Sequence, residues 1–200
     1  MPFIRLAHQN DIARIVEIHS ESLPHDLLPL LGSRFLRGTF YPFVFAEAAN
    51  AFIVVGGDEQ VDAFAVFVLQ ASAFTKKLSA RKTDLFIALA SRIFLSPSII
   101  FQILSVRQNQ RMESQFSNDE ICRFPEIYVA ATHPDKQGKG IGTAVIQEGL
   151  KMLLARQNTG NCIVKTSSNR ASNFYKKIGF VEIGSLLRGR RRFAIFLFKH

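Results

Sequence analysis

The stretch Gln137-Gly138-Lys139-Gly140-Ile141-Gly142 carries the clearest chemical signal in this 200-residue sequence. Glycines at alternate positions remove the Cβ atoms that would hold a ligand off the backbone. Ile127-Tyr128-Val129-Ala130-Ala131 before the loop reads as a strand. From about Gly140 to Arg156 the pattern is helical, with Val145, Ile146, Gly149, Leu150 and Leu153 on the apolar face. Amide N–H groups of such a loop can point at an anion, and the helix adds the positive end of its dipole. The expectation is a phosphate or pyrophosphate cradle, with a plain glycine-rich turn as the alternative. Two nucleotide motifs are excluded. A P-loop has Ser or Thr directly after its lysine, where this sequence has Gly140. A dinucleotide fingerprint has a third glycine where this sequence has Thr143.

A second pattern lies about thirty residues downstream, from Asn169 to Phe180. It reads as a well-punctuated helix. Ser168 or Asn169 can cap its start, Lys176 and Lys177 suit its last turn, and Gly179 suits a left-handed stop. Phe180 can then pack back on Phe174 or Tyr175. These features are compatible with a purely structural role.

Taken together, the two patterns resemble the GNAT acetyltransferase superfamily. Gln137-x-x-Gly140-x-Gly142 is similar to that family's (Arg/Gln)-x-x-Gly-x-(Gly/Ala) signature. Asn169-x-x-Ala171-x-x-Phe174-Tyr175-x-x-x-Gly179-Phe180 is similar to its later motif. The likeness is close from Glu126 to Phe180; Ile4–Ile18 and residues 51–69 match only the expected layout. It implies acetyl-CoA as the acetyl donor, without a metal. The loop Gln137, Gly138, Lys139, Gly140, Ile141, Gly142 and Thr143 would bind the pyrophosphate. Ala130, Ala131, Thr132 and Asn169 would lie along the pantetheine arm.

The resemblance also places the Tyr175 hydroxyl near the departing sulfur. A phenol titrating near 10 can donate to a thiolate formed with a pKa near 8.5. Some family members place a base glutamate where this chain has Glu126; a surface glutamate after Pro125 is the other reading. His133 is an alternative base, although its place before Pro134 reads as a turn. His25 and Asp26 fall where the family's first helices border the acceptor. His19 lies on an apolar stripe and reads as a packed core histidine. Cys162 reads as a strand residue, so a covalent acetyl-cysteine is not indicated.

The elements that must position these groups form a mixed α/β chain. Ile4-Arg5-Leu6 opens as a strand, and Asn10 or Asp11 caps a helix with Ile12, Ile15, Val16 and His19 at helical spacing. A second helix is expected from about Asp26 to Thr39, burying Leu27, Leu30, Leu31 and Leu36. Ala51–Val55 and Val61–Leu69 read as a hairpin around Gly56-Gly57-Asp58. Residues 70 to about 120 read as a helical insertion that ends in an exposed polar loop, Asn109 to Glu120. Cys162-Ile163-Val164 and Arg192–Phe198 complete the strands. One GNAT-like domain spanning 1–200 is expected, its sheet mostly antiparallel and flanked by helices.

A net charge of +9 implies attraction to something acidic, and the densest run is Arg188, Arg190, Arg191 and Arg192. No recognition helix, RNA-binding signature or stacking pattern is visible, so nucleic acid is not an expected partner. Two cysteines without CxxC spacing argue against a metal cluster and lean to a reducing compartment. Met1-Pro2-Phe3-Ile4-Arg5 lacks the layout of a signal peptide, and a cytoplasmic location is expected. Leu85–Leu104 has a spanning length, but Arg92 and Pro97 interrupt it. Two short helices fit it better, and weak contact with a membrane surface is compatible.

The functional expectation is direct acetyl transfer to a primary amine. A small molecule is favoured over a protein, and a neutral or acidic amine such as an amino sugar over a polyamine. The alternative is a silent coenzyme A-binding module acting through the basic insertion. Nothing in the sequence sets the oligomeric state; a dimer is compatible.

Overall fold

The computed structural model describes residues 2–81, 110–114, 118–157, 161–188 and 191–199. Leu85–Leu104 lies outside them. No helix among the described residues is long and apolar enough to cross a membrane.

Eight strands form one sheet: β1 (Phe3–Leu6), β2 (Ala51–Gly57), β3 (Ala63–Val68), β4 (Gln110–Ser114), β5 (Glu126–Thr132), β6 (Cys162–Thr166), β7 (Val181–Arg188) and β8 (Arg191–Phe198). Their order across the sheet is β1-β2-β3-β5-β6-β8-β7-β4. Every neighbouring pair is antiparallel except β5 and β6. That parallel pair is joined only at Glu126–Ile163 and Ile127–Val164. Beyond these residues β5 follows β3 and β6 follows β8, so the sheet opens into a wedge at its centre.

Two strands at the heart of the sheet, β2 and β3, are buried at every residue. Their continuous apolar runs fit a sheet covered on both faces. On one face lie α1 (Ile12–Ser22) and α2 (Leu27–Leu30). The same face carries a helix running from α3 (Ser33–Phe35) through a wide turn at Leu36–Phe40 into α4 (Tyr41–Ala46), and then α5 (Ala71–Ala80). Phenylalanines fill this layer in edge-to-face contacts such as Phe40–Tyr41, 5.0 Å apart at 74°. Each buried phenylalanine contributes about 1.5–3 kcal/mol. On the other face lie α7 (Ile141–Gln157) and α8 (Asn169–Lys177). There Gly149 lets α7 sit directly on β3, since a Cβ would come 2.0 Å from the Phe67 ring. Helix α6 (Asn118–Arg123) adds Ile121 to a third apolar cluster, with β6, β7 and β8.

Several expectations change. The helix expected over Asp26–Thr39 breaks at Gly32, whose φ of +95° no helix accommodates, and resumes past Thr39 to Ala46. Leu31 and Leu36 are buried as expected, whereas Leu27 is 41% exposed. The helix at residue 12 starts through a short 3-10 turn, Gln9–Asp11, in which Asp11 accepts the His8 N–H at 2.7 Å. The polar stretch expected as an exposed loop contains β4 and the start of α6. Gln-Arg-Met-Glu-Ser carries no apolar alternation because an edge strand is held by main-chain bonds on one side alone. Strand β7 was missed altogether. Its partner β8 begins in the basic run, and Arg188 pairs with Arg191 in the β7–β8 register.

Candidate active site

The wedge between β5 and β6 leads into a cleft of about 900 Å³. One wall is built from backbone. After Thr132 the chain makes a 3-10 turn at Pro134–Lys136, pinned to β3 by the His133 N–H, which donates to the Asp62 carbonyl at 2.8 Å. The Gln137 Nε2 then donates to the Thr132 carbonyl at 3.0 Å, tying the loop to the end of β5. Gly138 and Gly140 have φ of +80° and +81°, and a Cβ at either would meet nothing within 4 Å. Glycine is required there by backbone conformation, not by space. Gly142 differs: a Cβ there would lie 2.7 Å from the Thr132 Oγ1.

Between the Gln137 N–H, which donates to Pro134, and the Ala144 N–H, which donates to Gly140, no main-chain N–H finds an acceptor among the described residues. Gly138 to Thr143 thus present a run of free donors at the positive end of a 17-residue helix. That is the electrostatic form of an anion site. Ala130, Ala131, Thr132, Gln137, Gly138, Gly140, Ile141, Gly142 and Thr143 all line the cleft. Lys139 is exposed and is not among the lining residues. Four cations that the sequence did not mark as site residues, Lys136, Lys165, Arg170 and Lys177, also line it. Lys136 adjoins the first motif, and Arg170 and Lys177 lie within the second, which was the available signal.

The opposite wall is the first part of α8. Ser168 caps the helix, its Oγ accepting the Ala171 N–H at 3.4 Å. Ser168, Arg170, Ala171, Phe174 and Tyr175 face the cleft; Asn169 is exposed and is not among the lining residues. The Tyr175 ring is buried and meets Phe174 and Phe180 edge-on, at 5.2 and 5.3 Å. Burial pushes its phenol well above the ordinary value, with a smaller push from Cys162. The hydroxyl therefore stays protonated at neutral pH.

The floor and the far side belong to the other face of the sheet. Opposite β3, β5 carries one extra residue: Val66 faces Val129 and Phe67 faces Ile127, leaving Tyr128 unpaired in a β-bulge. Tyr128 stacks over Phe40 at 6.2 Å and lines the cleft with Leu23, Phe64 and Phe193. Lys165, also in the lining, donates to Glu126 at 2.7 Å. Glu126 is thus a buried, ion-paired carboxylate rather than a surface one, and it does not line the cleft. Asp26 does line it; His25 beside it is exposed and does not.

The remaining titratable candidates lie elsewhere. His133 Nε2 is 3.1 Å from Glu21, and with Glu17 these form a cluster within 4.8 Å that is separate from the cleft lining. His19 is 1% exposed and shares a 2.7 Å hydrogen bond with the Tyr41 hydroxyl. Burial lowers its pKa to about 4, so it is the neutral core residue expected. Cys162 is fully buried, and burial first, then Glu126, pushes its thiol far up. It is no nucleophile.

The sequence profile of the acetyltransferase (GNAT) domain matches residues 110–182, which include both motifs. Over that span the chain is similar to a GNAT acetyltransferase domain. The fold agrees along the whole chain. A Corynebacterium glutamicum structure described as a histone acetyltransferase and related acetyltransferase is 19% identical, with a TM-score of 0.60, covering 99% of this chain and 96% of its own. A putative acetyltransferase of Salmonella typhimurium, solved with acetyl-CoA, is 14% identical with a TM-score of 0.58, at 99% and 93% coverage. An N-acetyltransferase of Thermoplasma acidophilum, solved with coenzyme A, is 12% identical with a TM-score of 0.59, at 100% and 99%. No protein with a curated description matches the chain in sequence. At these identities the GNAT likeness along the full length is one of fold.

Proposed function

We propose that the chain is an N-acetyltransferase that moves an acetyl group from acetyl-CoA directly to a primary amine. The observation that carries this reading is the run of unpartnered N–H groups from Gly138 to Thr143, facing Tyr175 across one cleft. The free donors fit a pyrophosphate, and Lys136, Arg170 and Lys177 add positive charge along the cleft for further phosphate. The structures of relatives solved with acetyl-CoA and coenzyme A support the same ligand.

Acetyl-CoA supplies an activated thioester carbonyl. The wedge supplies the rest. Past Ile127, β5 no longer pairs with β6, and its edge N–H groups are free to hold the thioester arm and its carbonyl oxygen. Aligning donor and acceptor in one cleft removes much of the entropic barrier. The Tyr175 hydroxyl donates a hydrogen bond to the departing sulfur; its raised pKa makes it a lasting donor more than a strong acid. Glu126 holds the Lys165 ammonium in place on the floor. The acceptor enters from the face lined by Leu23, Asp26, Phe64, Tyr128 and Phe193, a space suited to a small amine.

Release of free thiol from acetyl-CoA, measured with and without a panel of primary amines, tests this. Amine-dependent thiol release with acetylated product is the expected result. Coenzyme A binding without transfer to any amine would reduce the chain to a binding module.

A further inference from the structure

The acceptor side needs a group to take the proton that the amine nitrogen sheds as it is acylated. Among the described residues that line the cleft, Asp26 is the one carboxylate, and no histidine lines it. The other candidates are committed elsewhere: Glu126 to Lys165 at 2.7 Å, His133 to Glu21 at 3.1 Å, His19 to Tyr41 at 2.7 Å. The lysines and Arg170 of the lining are cations at neutral pH and cannot accept.

The local structure of Asp26 is unusual for its position. It is the N-cap of α2, with φ −82° and ψ 155°, where an aspartate ordinarily turns its carboxylate back onto the first helical N–H groups. Here the side chain makes no capping bond. Nor does any hydrogen bond or ion pair hold it among the described residues. The segment that carries it is fixed at both ends. Ser22 Oγ donates to the Thr132 carbonyl at 2.9 Å, at the strand end that leads into the glycine loop. Arg191 Nη1 donates to the His25 carbonyl at 3.3 Å. The Asp26 N–H donates to Leu23 at 3.0 Å, closing the turn between them. An idle carboxylate is thus held at the cleft by anchors on β5, which borders the wedge, and on β8, which pairs with β6 beyond it.

Resting on the acetyl-transfer reading above, we propose that Asp26 is the general base of this enzyme. The neutral amine attacks the acetyl carbonyl carbon, the C–N bond forms and the C–S bond breaks. The surplus proton on nitrogen passes to the Asp26 carboxylate. Water then carries that proton to the thiolate, which Tyr175 holds by its hydrogen bond, and the products are the N-acetylated amine and coenzyme A thiol. Asp26 is exposed at the cleft, and partial desolvation there raises its carboxyl above the ordinary value, against the pull of Arg191 from β8 and of neighbouring His25. A carboxylate shifted this way is a better base near neutral pH.

The test compares wild type, Asp26→Asn and Asp26→Glu, with acetyl-CoA as donor. The acceptors are tyramine, putrescine and glucosamine, and aniline as an amine that is neutral at pH 7 and forms a more acidic adduct. Asp26→Asn should lower kcat/KM for the alkylamines about a hundredfold. Aniline should stay within about threefold, because water can take its proton. Coenzyme A affinity should be unchanged, and Asp26→Glu should recover most of the loss. In wild type, kcat/KM should rise with pH through the Asp26 titration, and Asp26→Asn should lose that limb. Equal loss with aniline and alkylamines, or an unchanged pH profile in Asp26→Asn, overturns the base role and leaves acetyl transfer standing. A wild type that binds coenzyme A but acetylates none of these amines overturns both.

Discussion

The cofactor side of the cleft is made of backbone. Two glycines at positive φ, a helix start and a run of free N–H groups lie within one short stretch of chain. The proposed acceptor side is made of side chains from distant parts of the sequence: Asp26 after α1, Phe64 on β3, Tyr128 on a bulge, Lys165 on β6 and Phe193 on β8. The difference teaches what each side can tolerate. A backbone cradle depends on a few conformations and is indifferent to most side chains. An acceptor wall of pairs and packed rings depends on each partner.

Removing one partner on the acceptor side should therefore produce the largest effect. Lys165 and Glu126 are only 15% and 11% exposed at the side chain. Glu126→Gln leaves a largely buried ammonium unpaired and should cost about 3 kcal/mol of stability, read as a lowered denaturant midpoint. Replacing both by apolar residues should cost less than the single change. An additive double mutant would break the contrast.

The same layer should be acid-sensitive through His19. Its folded pKa of about 4 lies below the ordinary 6.5, so the unfolded chain binds the proton first as pH falls. Stability should be full above about pH 6.5 and fall progressively toward pH 4, by on the order of 3 kcal/mol. His19→Gln should flatten that slope between pH 6.5 and 4 in urea titrations, whatever it does at pH 7.

Next in size comes a backbone change on the cofactor side. Gly140→Val has room for its side chain but forces a β-branched residue to φ +81°. Strain and a turned N–H should weaken coenzyme A binding about a hundredfold, roughly 2.7 kcal/mol, while the same strain lowers the melting temperature by only a few degrees. Lys139→Ala, on an exposed side chain that does not line the cleft, should change affinity little. An effect smaller than that of Gly140→Val belongs to the reacting end. Tyr175→Phe keeps the packing against Phe174 and Phe180 and should lower kcat about tenfold, leaving KM for acetyl-CoA in place.

This division also explains what the sequence could convey. Gln137–Thr143 and the helix from Asn169 to Phe180 are contiguous, and their glycines, cap and aromatics carry local meaning. Strands β2 and β3 were legible as continuous apolar runs. Strand β4 was not, because Gln110–Ser114 lacks an apolar alternation and pairs with β7 at the edge of the sheet. The break at Gly32 and the bulge at Tyr128 arise from tertiary packing, which a helical or alternating pattern does not record. Glu126 read equally well as a base or as a surface residue; its burial and its partner Lys165, 39 positions away, decide where it sits. The idle carboxylate of Asp26 was invisible as such, since a capping aspartate and a free one look alike in sequence.

The central claim is that the loop from Gly138 to Thr143 holds coenzyme A. Calorimetric titration of the intact protein with coenzyme A tests it most directly. The account predicts saturable one-to-one binding with a Kd of about 1–100 μM, in the range where such enzymes work. It also predicts that Gly140→Val moves that value about a hundredfold. Absence of binding up to about 1 mM in a folded wild-type protein, or equal affinity in Gly140→Val, would contradict it.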